Sequence, residues 1–67
     1  MAGVYFNAMR VGKKYFLVNY GEKFEFEVMK RLSENDFLLK DINTLEMYRL
    51  SEFIAFGKGN DFEVREI

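Results

Sequence analysis

The stretch KFEFEVMKRL, residues 23–32, constrains the fold more than any other part of the chain. Phe24, Phe26, Val28 and Leu32 alternate with Glu25, Glu27, Met29 and Arg31. A period of two places one set on each face of an extended strand and cannot make one apolar stripe on a helix. An apolar face backed by a charged one belongs to an antiparallel sheet covered on one side and wet on the other. Phe24, Phe26, Val28 and Leu32 are therefore expected in a core, and Glu25, Glu27 and Arg31 in water.

That core has to be built from side-chain packing alone. The chain has 67 residues with no Cys and no His, so neither a disulfide framework nor a Cys/His zinc site can staple it. A domain of this size buries only about 60% of the surface its unfolded chain exposes. Eight Phe and four Tyr supply the bulk.

Turn residues divide the rest. Residues 13–20 read as a strand rich in aromatic and branched side chains. Gly21 marks a tight turn into the alternating strand 22–32, so the two make a hairpin. Ser33, Glu34, Asn35 and Asp36 form a polar turn, followed by a third strand at 37–42, a two-residue turn at Asn43 and Thr44, and a fourth strand at 45–50. Ser51 can cap one helical turn over residues 52–54 that ends at Gly57, before a last strand at 62–67. A second reading makes residues 44–56 one helix, with Asn43 and Glu46 as a capping box. Thr44, Tyr48, Phe53, Ile54 and Phe56 are mediocre helix formers, which favours strand plus turn. Residues 1–9 carry Val4, Tyr5 and Phe6 in no periodic pattern and are expected to be a loosely held extension, with one domain over residues 10–67. In the first strand Phe16, Val18 and Tyr20 share one face, and Tyr15 and Leu17 the other. Both faces want cover, which a closing barrel, the extension or a homodimer contact would provide.

The expected fold is mainly β: a small five-stranded antiparallel barrel with a short helical turn before the last strand. This element order resembles the small Src-homology-three and Tudor-type barrels over roughly residues 12–67, with LSEFIAFG (residues 50–57) where those barrels carry their short helix. With no Trp and no Pro, the chain lacks the tryptophan pair and late proline of proline-rich peptide binders. The Tudor resemblance implies an aromatic cage, for which Tyr20, Tyr48 and Phe56 are the candidates.

Chemistry by other routes finds little support. No nucleophile or carboxylate-pair motif stands out, and Glu25 with Glu27 reads as a solvated strand face, so an enzyme is not expected. Asp36, Asp41 and Asp61 do not reproduce a calcium-loop spacing and read as surface acids, so neither a metal nor another cofactor is expected. The glycines of GKGN (residues 57–60) precede a strand and read as turn chemistry. KKYFLV, residues 13–18, resembles the basic-aromatic strand of cold-shock barrels but lacks its Gly/Phe alternation and its second aromatic strand. Ten basic against eleven acidic residues give a net charge of −1, which favours a protein partner over single-stranded nucleic acid. No apolar run approaches the ~20 residues needed to span a bilayer, and MAGVYFNAMR lacks the basic start and apolar stretch of a secretion signal, so a cytoplasmic place is expected. Tyr15, Tyr20 and Tyr48 are the aromatics least committed to the core and are the candidate binding residues.

Overall fold

A computed structural model describes residues 8–67. They form β1 (Lys14–Asn19), β2 (Glu22–Ser33), β3 (Asp36–Asp41), β4 (Met47–Arg49), the single helical turn α1 (Leu50–Phe53) and β5 (Glu63–Glu66). All five strands belong to one antiparallel sheet in the order β4-β3-β2-β1-β5. β4 and β5 are its two edges. Residues 44–56 thus form a strand and a short turn, not one helix, and no helix among the described residues is long and apolar enough to cross a membrane.

The first hairpin closes where Asn19 pairs with Glu22 around Tyr20 and Gly21, whose φ values are 51° and 77°. Two successive positive φ angles give the two-residue turn whose twist matches a right-twisted ribbon. Gly21 adopts this freely, whereas Tyr20 is held there by contacts described below.

β2 is the spine. Its first half pairs with β1 from Glu22 to Glu27, and its second half pairs with β3 from Phe26 to Ser33. The register with β3 slips between Val28 and Lys30 and again between Arg31 and Ser33. Each slip adds one unpaired residue, Met29 and then Leu32, and bends the strand. The first reverses the facing of Lys30 and Arg31, and the second reverses it again. Phe26 and Val28 are buried and Arg31 is exposed as expected, and Arg31 lies opposite the buried Phe37 with its guanidinium 4.7 Å from the ring centre. Leu32, expected in the core, is 38% exposed. Leu32→Lys should accordingly change the unfolding free energy by less than about 0.5 kcal/mol, as ordinary surface substitutions do. A larger loss in a urea titration would place Leu32 inside after all.

The core comprises Met9, Tyr15, Leu17, Phe26, Val28, Phe37, Leu39, Leu50 and Val64, with Phe24, Phe53 and Phe62 packed against it. Met9 corrects the expected loose extension at its last residue, since it is 4% exposed. Residues 1–7, with Val4, Tyr5 and Phe6, lie outside the described residues. Other boundaries move by one or two positions. Asp36 opens β3, and the turn after it runs from Asp41 to Glu46, where the Asp41 carboxylate accepts the amides of Asn43 and Thr44 at 2.7 and 3.0 Å and Leu45 has a φ of 65°.

Asp36 is a second correction, because this expected surface acid is only 7% exposed. Its carboxylate accepts the Phe37 amide at 3.0 Å, the Ser51 amide at 3.1 Å, the Ser51 hydroxyl at 3.2 Å and the Arg49 guanidinium at 3.0 and 2.9 Å. Ser51 is therefore not the helix cap. Asp36 reaches across from β3 and satisfies the first turn of α1 itself.

Candidate functional site

The first hairpin turn and the segment after α1 are tied together by three side chains. Asn19, at the end of β1 and 4% exposed, donates its amide to the carbonyls of Phe53 and Gly57, both at 3.2 Å, and accepts the Gly59 amide at 2.7 Å. Every polar atom of this buried side chain is engaged, as burial of an amide demands. Asp61 accepts the Tyr20 amide at 2.8 Å and the Gly21 amide at 2.7 Å. Its carboxylate thus fills the concavity that two positive-φ residues make with their N–H groups. The Gly21 amide holds the Asp61 carboxyl below its ordinary range, burial acts the other way, and the Tyr20 amide adds to the lowering. The Tyr20 hydroxyl donates to the Phe56 carbonyl at 3.1 Å. Its ring lies so close to Gly59 that a Cβ there would sit 3.0 Å from the ring and from Asp61.

Between the two tied segments lies a cleft of about 200 Å³ lined by Asn19, Tyr20, Glu22, Phe24, Glu52, Phe53 and Phe56. Phe24 and Phe53 form its floor, with ring centres 4.4 Å apart. The rim is aromatic and wet: Tyr20 is 59% exposed and Phe56 94%. Beside the floor, Tyr48 packs on Phe53 with ring centres at 5.6 Å. A hydrogen bond to Glu46 pushes the Tyr48 phenol up, and burial and the charges of Glu46, Asp41 and Glu52 push the same way. This end of the molecule is negative, with Glu22 and Glu52 on the cleft itself.

The candidate tyrosines separate accordingly. Tyr20 lines the cleft and Tyr48 flanks it through Phe53. Tyr15 does not belong to any surface: it is 2% exposed, and its hydroxyl accepts the Arg10 amide at 2.8 Å. In β1 it is the face of Tyr15, Leu17 and Asn19 that the core covers, while Phe16 and Val18 lie half-buried on the outer face. Lys23 stands 4.5 Å over the Phe16 ring. The stretch KKYFLV therefore turns one aromatic ring outward, not two. Of the expected cage, Tyr20 reaches only the backbone carbonyl of Phe56, which is itself 94% exposed, and Tyr48 packs on Phe53. Glu22, Phe24, Glu52 and Phe53 went unmarked as site residues because their roles depend on the long-range ties of Asn19 and Asp61. No local signal in LSEFIAFG marks them, since α1 ends at Phe53 and Phe56 lies beyond it.

No group of three or more acidic residues among the described residues is arranged to hold a metal ion. The fold and cleft define a small, mainly β protein with an acidic, aromatic-walled surface cleft. Comparison with family models, with curated proteins and with solved structures finds no match.

Proposed function

We propose that this protein is a non-catalytic interaction module that receives a basic side chain of a partner protein in the cleft between the first hairpin turn and α1. The observation that carries this reading is the exposed rim of Tyr20 and Phe56 over the Phe24 and Phe53 floor, with Glu22 and Glu52 at its edge. Rings and carboxylates together favour a cation with an aliphatic stem, through the ring faces and through charge. At about 200 Å³ the cleft is smaller than the roughly 300–1,000 Å³ of small-molecule sites. It suits one side chain better than a cofactor. Under this reading the molecule is cytoplasmic and its sheet is a curled member of the Src-homology-three and Tudor type. The long β2, shared by both halves of the sheet and bent at two bulges, supports such curling.

A phage-displayed library of random dodecapeptides tests the function. Lys- or Arg-containing peptides should be enriched, should shift the backbone amide signals of Tyr20, Glu22, Phe53 and Phe56, and should bind at least about tenfold more weakly to a Phe56→Ser protein. Absence of enrichment, or unchanged affinity for Phe56→Ser, would rule the cleft out. Oligo-dT at physiological salt should bind no tighter than about 10⁻⁴ M. Micromolar binding that is lost on Lys13→Glu with Lys14→Glu would establish nucleic acid as the partner instead.

A further inference from the structure

The two edges of the sheet differ in what they leave open. β4 has three residues, and the amide of Arg49 is already taken by the Glu52 carboxylate at 2.7 Å. β5 is one residue longer. Its facing follows from two backbone hydrogen bonds. Lys13 receives the Val28 amide at 3.0 Å, so residues 13, 15, 17 and 19 of the first strand direct their backbone groups toward β2. Lys14 receives the Ile67 amide at 2.9 Å, so residues 14, 16 and 18 direct theirs toward residues 67, 65 and 63. Val64 and Glu66 are thus left with N–H and C=O groups pointing away from the sheet. Among the described residues no backbone or side-chain partner takes those groups.

An outward row of donors and acceptors is a template for another strand. The charges along β5 decide which strand fits. Glu63 and Arg65 lie on the outer face, already paired with each other at 2.7 Å, while Val64 points into the core. Two antiparallel copies of β5 centred on Val64 would exchange both backbone hydrogen bonds of Val64. The same register sets Glu63 opposite the partner's Arg65, and Arg65 opposite the partner's Glu63. It also brings Glu66 opposite the partner's Phe62, over whose ring the Lys58 ammonium stands at 5.1 Å in each copy. Shifting the centre by one residue to Arg65 opposes two guanidinium groups and removes both ion pairs. Of these two registers, the Val64-centred one pairs opposite charges and the Arg65-centred one does not.

We propose that β5 is the docking edge for a second copy of this chain, giving a two-fold dimer with a ten-stranded sheet continuous across the Val64 pair. The interface is isologous, because the same residues, 62–66, serve on both sides. It is also small, so it is a weak association with a dissociation constant between about 10 μM and 1 mM. None of residues 62–66 lines the cleft, so each copy keeps its own.

Sedimentation equilibrium on the full chain up to about 1 mM tests the proposal, with two charge variants as controls. The parent should show concentration-dependent dimer. Arg65→Glu places two carboxylates on each copy, and Glu63→Arg places two cations, so each variant alone should be monomeric. Mixed in equal amounts, these two variants should form a heterodimer, since every cross-strand pair is again of opposite sign. That recovery also shows both variants to be folded. A parent that stays monomeric at 1 mM, a single variant that dimerises as the parent does, or a mixture that stays monomeric would each overturn the β5 dimer.

Discussion

Phe26→Ala should destabilise the protein by about 3–5 kcal/mol, the range for truncating a buried aromatic ring. Phe26 is 1% exposed in the middle of β2, the strand shared by both halves of the sheet. Its ring stands 6.3 Å from that of Tyr15 and 6.5 Å from that of Phe53, so it joins the sheet to α1. No disulfide restrains the unfolded chain. Against a total stability of about 5–15 kcal/mol for ordinary domains, with a chain this short near the bottom, the loss approaches complete unfolding. Urea unfolding followed by circular dichroism measures it. A midpoint unchanged from the parent would mean that the ring does not sit in a packed interior.

Asp36→Ala carries the second large effect, about 2–3 kcal/mol. Asp36 holds the amides of Phe37 and Ser51, the Ser51 hydroxyl and Arg49 on one carboxylate. Each hydrogen bond to a charged group contributes roughly 1.5–3 kcal/mol, and the orphaned amides would be costly. The guanidinium, whose side chain is 61% exposed, regains water and moderates the total. The effect also depends on pH. Burial by itself raises the Asp36 carboxyl, but the Ser51 amide, Arg49, the Ser51 hydroxyl and the Phe37 amide outweigh it, and the net direction is downward. A carboxyl lowered in the folded state stabilises fully above its unfolded value of about 3.9 and loses that contribution as pH falls through the folded value. The stability difference between the parent and Asp36→Asn should therefore be greatest near neutrality and shrink toward pH 2. A difference constant across that range would show that the charge contributes nothing. Asp61, lowered first of all by the Gly21 amide, titrates in the same sense, and is common to both proteins in this comparison.

Local periodicity was enough to reveal the mainly β character, the hairpin at Gly21 and the strand-plus-turn form of residues 44–56. Alternation in KFEFEV, a glycine where φ must be positive, and a cluster of poor helix formers each act within a few residues of themselves. The absence of Cys and His likewise determined that the core would rest on packing. The facing of β1 was different, because Tyr15 and Phe16 are both acceptable on either side of a strand. Tyr15 is buried because it joins the core cluster that distant segments assemble, while Phe16 is left half outside.

β2 shows the same division within one strand. Up to Val28 the alternation holds, but the bulges at Met29 and Leu32 arise from the pairing with β3, so nothing local marks where the faces exchange. The cleft depended still more on tertiary structure. Asn19 and Asp61 bridge positions some forty residues apart in the chain, and a polar side chain carries no periodic signal of its own. Sequence by itself thus determined the strands, the first turn and the kind of core. The sides those strands present, the burial of Asp36 and the bond from Tyr20 to the Phe56 carbonyl were decided by contacts between distant segments, whose geometry exists only once the sheet has bent.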